Sequence, residues 1–256
     1  MMPRSSAQFR QRVPLPPNLT LVLALAVLPG CGHEASTVAP LAASRTVSPA
    51  SSDIAFPGPG NFVAEITNPW LAFAPGKTFR YEGESPDGHE TIVVDVTNKT
   101  KRILGIVTRV VHDRGYINGS LVEDTFDWYA QDVDGNVWYF GEDSKQIENG
   151  HVIGTEGSWQ AGVNGASPGI IMLAHPQKGD SYQQEFAEGV AEDMARVVSL
   201  SETAAVPYGT FTGCLETLEW TPLEPGAREY KFYASGVGQI LELGKHGERI
   251  ELVAIE

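Results

Sequence analysis

Cysteine is nearly absent from this 256-residue chain, with only Cys31 and Cys214 present. That excludes a small domain built on a disulfide framework, which needs several pairs. Basic residues are also scarce: 18 Lys and Arg face 32 Asp and Glu, for a net charge of −14 at pH 7. An acidic surface repels the phosphate backbone, so nucleic acid is excluded as a partner. Past Cys31 the apolar runs are only strand-length, such as Gly169 to Ala174. None approaches the roughly 20 residues of a membrane-spanning helix. Long capped segments of 3.6-residue period are missing too, and the best helix candidate is the short stretch Ala187 to Ala195. There is no phosphate loop and no dinucleotide fingerprint. The histidines His33, His89, His112, His151, His175 and His246 show no zinc-like spacing with one another or with cysteine.

What is present begins at the N-terminus. Arg4, Arg10 and Arg12 precede an apolar run from Leu19 to Leu28, and Leu28-Pro-Gly-Cys31 follows. A positive segment, a short apolar core and small residues at a cleavage point form an export signal. The run is about ten residues, too short to cross a hydrocarbon layer of about 30 Å. The cysteine directly after it resembles the lipobox of bacterial lipoproteins. That resemblance implies a signal peptide over residues 1–30, and acylation of Cys31 by palmitate-type chains as the new N-terminus. It also implies an exported protein held to the membrane through its lipid, since stable attachment needs more than one chain. Gly32, rather than Asp, follows the cysteine. In a source with two membranes, this places the protein at the outer one.

Residues 31–60 are rich in Ala, Ser, Thr and Pro and poor in large apolar groups. Such a stretch cannot bury enough surface to offset its ordering entropy, so it reads as a disordered tether. With Cys31 lipidated, Cys214 is left unpaired and is expected to be buried as a small core hydrophobe.

Residues 61–256 read as an all-β domain with minor α content. Short β-branched and aromatic runs recur, among them Thr91–Val96, Ile103–Val111, Thr125–Ala130 and Asn136–Phe140. Gly, Asn and Asp break them at intervals of about ten residues. Asp134-Gly135 between two aromatic runs predicts a hairpin with a tight two-residue turn. The domain also repeats itself. Gly76 and Thr91 fall opposite Gly179 and Met194 at one constant separation, and Phe126–Ala130 falls opposite Tyr230–Ala234 with one extra residue. Two related β-meander halves follow, at about 67–165 and 166–256. The stretches Asp127–Glu142, Pro168–Met172, Gly179–Glu185 and Tyr233–Gly238 resemble exported bacterial lipoproteins of unassigned function. The resemblance implies a curved antiparallel sheet or half-barrel, and brings no catalytic residues with it.

Several groups could carry chemistry. Gly165-Ala-Ser-Pro-Gly169 has the outline of a nucleophile elbow, but Pro168 has no N–H to stabilise an oxyanion. Asp132, Asp134 and Asn136 resemble the start of a calcium loop. Val137 and Asp143 then stand where an EF-hand needs Gly and Glu. Glu185, Glu188, Glu192 and Asp193 form a second acidic group; Glu188, Glu192 and Asp193 are its candidate calcium ligands, although the group reads more readily as a solvated acidic face. Glu123, Asp124 and Asp127 form a third group, in which strand alternation puts Glu123 and Asp127 on one side and Asp124 on the other. Trp128, Tyr129, Trp138 and Tyr139 lie on adjacent strands. Successive aromatics must point to opposite faces, so one face presents them to a core and the other to a cavity, a partner or the outside. These four are the candidate ligand-binding residues.

The leading functional expectation is a membrane-anchored, non-catalytic binding or assembly module for an apolar ligand or an envelope protein. A calcium-binding structural module and a secreted hydrolase assembled across strands are the alternatives.

Overall fold

In the computed structural model, residues 54–256 are described apart from 64, 245 and 246. Cys31, His33 and the tether up to residue 53 lie outside the described residues, as does His246. The described chain is almost entirely antiparallel strand. A short 3-10 turn at Pro59–Asn61 leads into β1 (Phe62–Val63). The first meander is β2 (Thr78–Ser85), β3 (Gly88–Ile103), β4 (Ile106–Ile117), β5 (Ser120–Asp132) and β6 (Val137–Glu148). Short strands follow: β7 (His151–Gly154), β8 (Trp159–Gln160), β9 (Ser167–Met172), β10 (Ser181–Gln183) and β11 (Glu185–Phe186). The second meander is β12 (Met194–Val206), β13 (Gly209–Trp220), β14 (Glu229–Ala234), β15 (Gly238–Leu243) and β16 (Arg249–Ile255).

These strands form one curved sheet, a nearly closed barrel. The last strand joins the two meanders by pairing with β2, Leu252 opposite Tyr81. The sheet therefore runs from β10 through the second meander, across β16 and β2, and through the first meander to β9 and β11. Its two ends are consecutive in the chain. Ser181–Gln183 pairs with β12, and Glu185–Phe186 pairs with β9. One segment thus changes partner at Gln184, leaving a single seam there. Closure this near to complete removes most of the open edge that a curved sheet would otherwise expose.

The turns explain where strands end. Ile103–Val111 is not one strand as its composition suggested. It folds back at Leu104-Gly105, both with positive φ (49° and 83°), the geometry of a two-residue turn that matches strand twist. Asn118-Gly119 and Asn149-Gly150 turn in the same way. The Asp134-Gly135 hairpin is present, but its loop spans the four residues 133–136 rather than two. Asp132 organises it, as described below. Ala187 to Ala195 is not a helix. Ala187 bridges to Ala191 in a tight reversal around Gly189, and β12 begins at Met194.

Both faces of the β5–β6 hairpin are covered. Its odd-numbered side on β5 faces the barrel interior. On the other side Trp138 and Phe140 are packed edge-on by Phe56 and Phe62, with ring centroids 5.4–6.4 Å apart. Trp128 lies on that side beneath the Lys101 ammonium, 3.1 Å from the ring centroid. Gly141 (φ 115°) forms a bulge in β6 that brings both Tyr139 and Glu142 to the interior. Cys214 is fully buried and unpaired.

The seam depends on a close approach. A Cβ built on Gly169 would lie 2.4 Å from the backbone carbonyl of Gln184. Gly169→Ala is expected to push the crossing segment away from β9 and to destabilise the fold by about 1–3 kcal/mol, the usual range for overpacking. Gly60, with open space around its Cβ position, is the control: Gly60→Ala is expected to change stability by less than about 0.5 kcal/mol in urea unfolding.

Candidate functional site

The curvature of the sheet encloses a cavity of about 130 Å³. Strand alternation decides what reaches it. β2 and β3 contribute Phe79, Tyr81, Ile92 and Val94, which make an apolar wall with Ile250 of β16. β4 contributes Val111 and Asp113, β5 Asp127 and Tyr129, and β6 Tyr139. The opposite wall carries Glu219, Lys231 and Tyr233, and the seam adds Gln184, Glu185 and Asp193. The cavity is thus aliphatic and aromatic at one side and strongly acidic elsewhere.

On the first-meander wall, the Tyr139 hydroxyl lies 2.7 Å from Asp127 Oδ1 and 3.0 Å from Glu142 Oε2. It owns one proton and can donate to only one carboxyl at a time. The other carboxyl satisfies the contact by donating its own proton to the phenol oxygen. Asp127 and Glu142 face each other across the β5–β6 ladder, and burial raises both pKa values by disfavouring the charged forms. Glu123 accepts from Thr125 and Ser144 at 3.0 and 3.1 Å. Burial still pushes its pKa up to about 7 against those bonds. Asp113, cross-strand from Thr125, is 6% exposed, and its Oδ1 has no hydrogen-bond partner. Burial first, and the charges of Asp127 and Glu123 second, raise its pKa well above the normal carboxyl value. Glu90, 2% exposed, also has an unpartnered oxygen and is pushed up to about 8 by burial and by Glu242 and Glu123.

The opposite wall is built around a lysine. Lys231 Nζ lies 2.8 Å from Glu229 Oε1 and 3.0 Å from Glu219 Oε2, with Glu242 at 4.0 Å. Burial opposes its charge, but these three carboxylates outweigh burial and raise its pKa well above the normal lysine value. Tyr233 donates to Glu219 at 3.3 Å, and Thr217 donates to it at 2.8 Å. At the seam, the Trp159 indole N–H donates to Glu185 at 2.9 Å.

The residues singled out in the sequence separate accordingly. Tyr129 and Tyr139 line the cavity, stacked with centroids 4.8 Å apart. Trp128 and Trp138 lie on the other face of the hairpin, where the Trp138 indole donates to Asp132 at 2.8 Å. Asp132 also accepts the backbone N–H groups of Asp134 and Asn136 and the Asn136 side-chain amide. Its carboxylate is thereby spent on holding the loop, with Asn136 passing the contact on to Ala174 N–H. Of the second set, Glu188 is exposed, Glu192 caps Gly189 N–H at 2.8 Å, and Asp193 faces the cavity. Among the described residues no group of three or more His, Cys, Asp or Glu side chains is arranged to hold a metal ion. The third acidic group divides as alternation requires. Glu123 and Asp127 are interior, while Asp124 is outside, paired with His112 at 2.5 Å. Ser167 opens β9 and no helix follows it. The cavity lining has no Ser, Thr, Cys or His, so a nucleophile–histidine pair is not assembled there.

Glu185, grouped in the sequence with Glu188, Glu192 and Asp193, lines the cavity, while sequence reasoning missed Asp113, Glu142, Glu219 and Lys231. Only the inward phase of their strands could have marked them.

No protein-family model matches the chain, and no curated protein does. Among solved structures the chain is similar to an exported protein with a YmcC-like fold from Bacteroides fragilis NCTC 9343. That match has 14% identity and a TM-score of 0.42, and covers 73% of this chain and 98% of that one. It is also similar to a lipoprotein from Parabacteroides distasonis ATCC 8503, at 10% identity and a TM-score of 0.39, with the same coverage.

Raised carboxyl pKa values fix the sign of a pH dependence. Groups that hold protons more tightly when folded stabilise the fold below their unfolded pKa. That contribution is lost as pH rises through the folded values. With Glu123 at about 7 and Glu90 at about 8, the melting temperature is expected to fall by at least ~5 °C between about pH 5.5 and about pH 8.5. Glu90→Gln is expected to flatten that slope, as read by calorimetry.

Proposed function

We propose that this chain is an exported, lipid-anchored, non-catalytic binding module whose ligand occupies the barrel interior. The cavity carries the reading: it combines a continuous apolar wall with a few convergent polar groups, the composition of a ligand site. It brings no Ser, Thr, Cys or His to the same place, so a hydroxyl or thiol nucleophile paired with histidine is not assembled there.

The geometry around the first described residues supports membrane anchorage. The chain arrives from the proposed tether at Ile54, and Phe56 docks on the hairpin aromatics. Close by, Pro59 touches the Leu104-Gly105 turn, and Leu104 packs against Gly162. This β3–β4 tip carries Lys99, Lys101, Arg102 and Arg109 with no acid between them, in a chain of net charge −14. Leu104 is 43% exposed and Val107 40%. Leu104 holds a positive φ that a branched-chain residue adopts only at a cost. An exposed leucine kept where Asn would fit better, at the tip of a hairpin that carries basic side chains, suits contact with lipid.

Two outcomes test anchorage. Cys31→Ser is expected to move the protein from the membrane to the soluble fraction and to abolish labelling by radioactive palmitate; unchanged membrane retention would contradict it. Leu104→Asn is expected to stabilise the domain by about 0.5–1 kcal/mol by removing the strain. In the same variant the slowing of hydrogen exchange over residues 102–107 on vesicles containing anionic lipid should shrink.

A further inference from the structure

The interior is short of cations. Among the described residues Lys231 is the one basic side chain in the cavity lining, and it is held by Glu219 and Glu229 on its own side. The Asp113–Asp127 side has no such partner. Arg114, next in sequence to Asp113, points out of the barrel and pairs with Asp95. Asp113 is 94% removed from solvent on the exposure given above, faces the cavity, and leaves Oδ1 without a hydrogen bond. A buried carboxylate oxygen in that state has lost its hydration without compensation, so it is a position prepared for a donor.

The surroundings define that donor. Near Asp113 in the lining lie Val111 and the paired rings of Tyr129 and Tyr139; its cross-strand neighbour Val94, with Phe79 and Ile92, continues the wall as an apolar surface. A hard metal ion requires six or more oxygen ligands, and no cluster of ligating side chains exists among the described residues. Aromatic faces and aliphatic walls instead suit a cation with a hydrocarbon body. A dry cavity of about 150 Å³ accepts benzene, so about 130 Å³ suits a body of similar size. The acidic surface draws cations toward the molecule.

We propose that the cavity binds a small organic ammonium ion, its charged nitrogen donating to Asp113 beside the stacked tyrosines and its apolar body against Phe79, Ile92 and Val94. This deepens the binding reading above and rests on it.

The test is isothermal titration of the full-length lipidated protein in detergent, near pH 8, with benzylammonium and separately with benzyl alcohol, its neutral isostere. Benzylammonium is expected to bind at least about tenfold more tightly, the effect of one charge-assisted hydrogen bond. Asp113→Asn is expected to erase that difference while alcohol binding persists. The substitution keeps the side-chain shape, and an unchanged or raised melting temperature shows that the variant folds. If it does not fold, the two probes on the native chain still decide. Equal binding of both would overturn the ammonium inference and leave the binding reading standing. Binding of neither would overturn both. Displacement of benzylammonium by millimolar calcium, one for one, would also overturn it, in favour of a metal site.

Discussion

A closed sheet that buries many carboxylates and few cations cannot hold them all ionised. Burying an uncompensated charge is far more costly than burying a neutral acid. The interior of this protein therefore depends on protons. Tyr139 sits between Asp127 and Glu142, and its one hydroxyl proton obliges one of them to remain an acid. Glu123 is partly rescued by Thr125 and Ser144, while Asp113 and Glu90 keep oxygens with no donor at all. The same closure that sequesters these groups creates the cavity, so the fold and the site share one electrostatic problem.

The two meanders solve it differently. In the repeat read from the sequence, Asp127 falls opposite Lys231 and Tyr129 opposite Tyr233. Both pairs face the cavity from their respective walls. The second wall offsets part of the charge of Glu219, Glu229 and Glu242 with a lysine supplied by the chain. The first has a carboxylate at the matching position. One wall carries its own cation, and the other is completed by protons or by a bound cation.

Much of the architecture was legible in the sequence because it is local. Strand-length runs and turn residues gave the all-β class, the resemblance to exported lipoproteins implied the curved antiparallel sheet, and alternation separated Glu123 and Asp127 from Asp124. Consecutive aromatics required two environments, and the hairpin has two: Tyr129 and Tyr139 in the barrel, Trp128 and Trp138 outside it. Errors came where local signals coincide. The run Ile103–Val111 hides a turn because Leu104 occupies a position normally filled by Asn or Gly. Ala187–Ala195 has helical composition, but the reversal at Gly189 and pairing with β10 and β13 override it. The acidic site was not legible because its members are distant in sequence. Asp113 and Lys231 meet the same cavity only after β16 pairs with β2. In isolation each resembles an ordinary solvent-facing residue of a half-exposed strand.

A proton-dependent interior is measured most directly by the infrared carbonyl stretch of protonated carboxylic acids in the native protein near neutral pH. A distinct band from buried neutral acids is expected in the ligand-free protein. It should weaken in Asp113→Asn and disappear on unfolding at the same pH. A native spectrum showing only ionised carboxylates, identical in the variant and unchanged on unfolding, would contradict a proton-dependent interior.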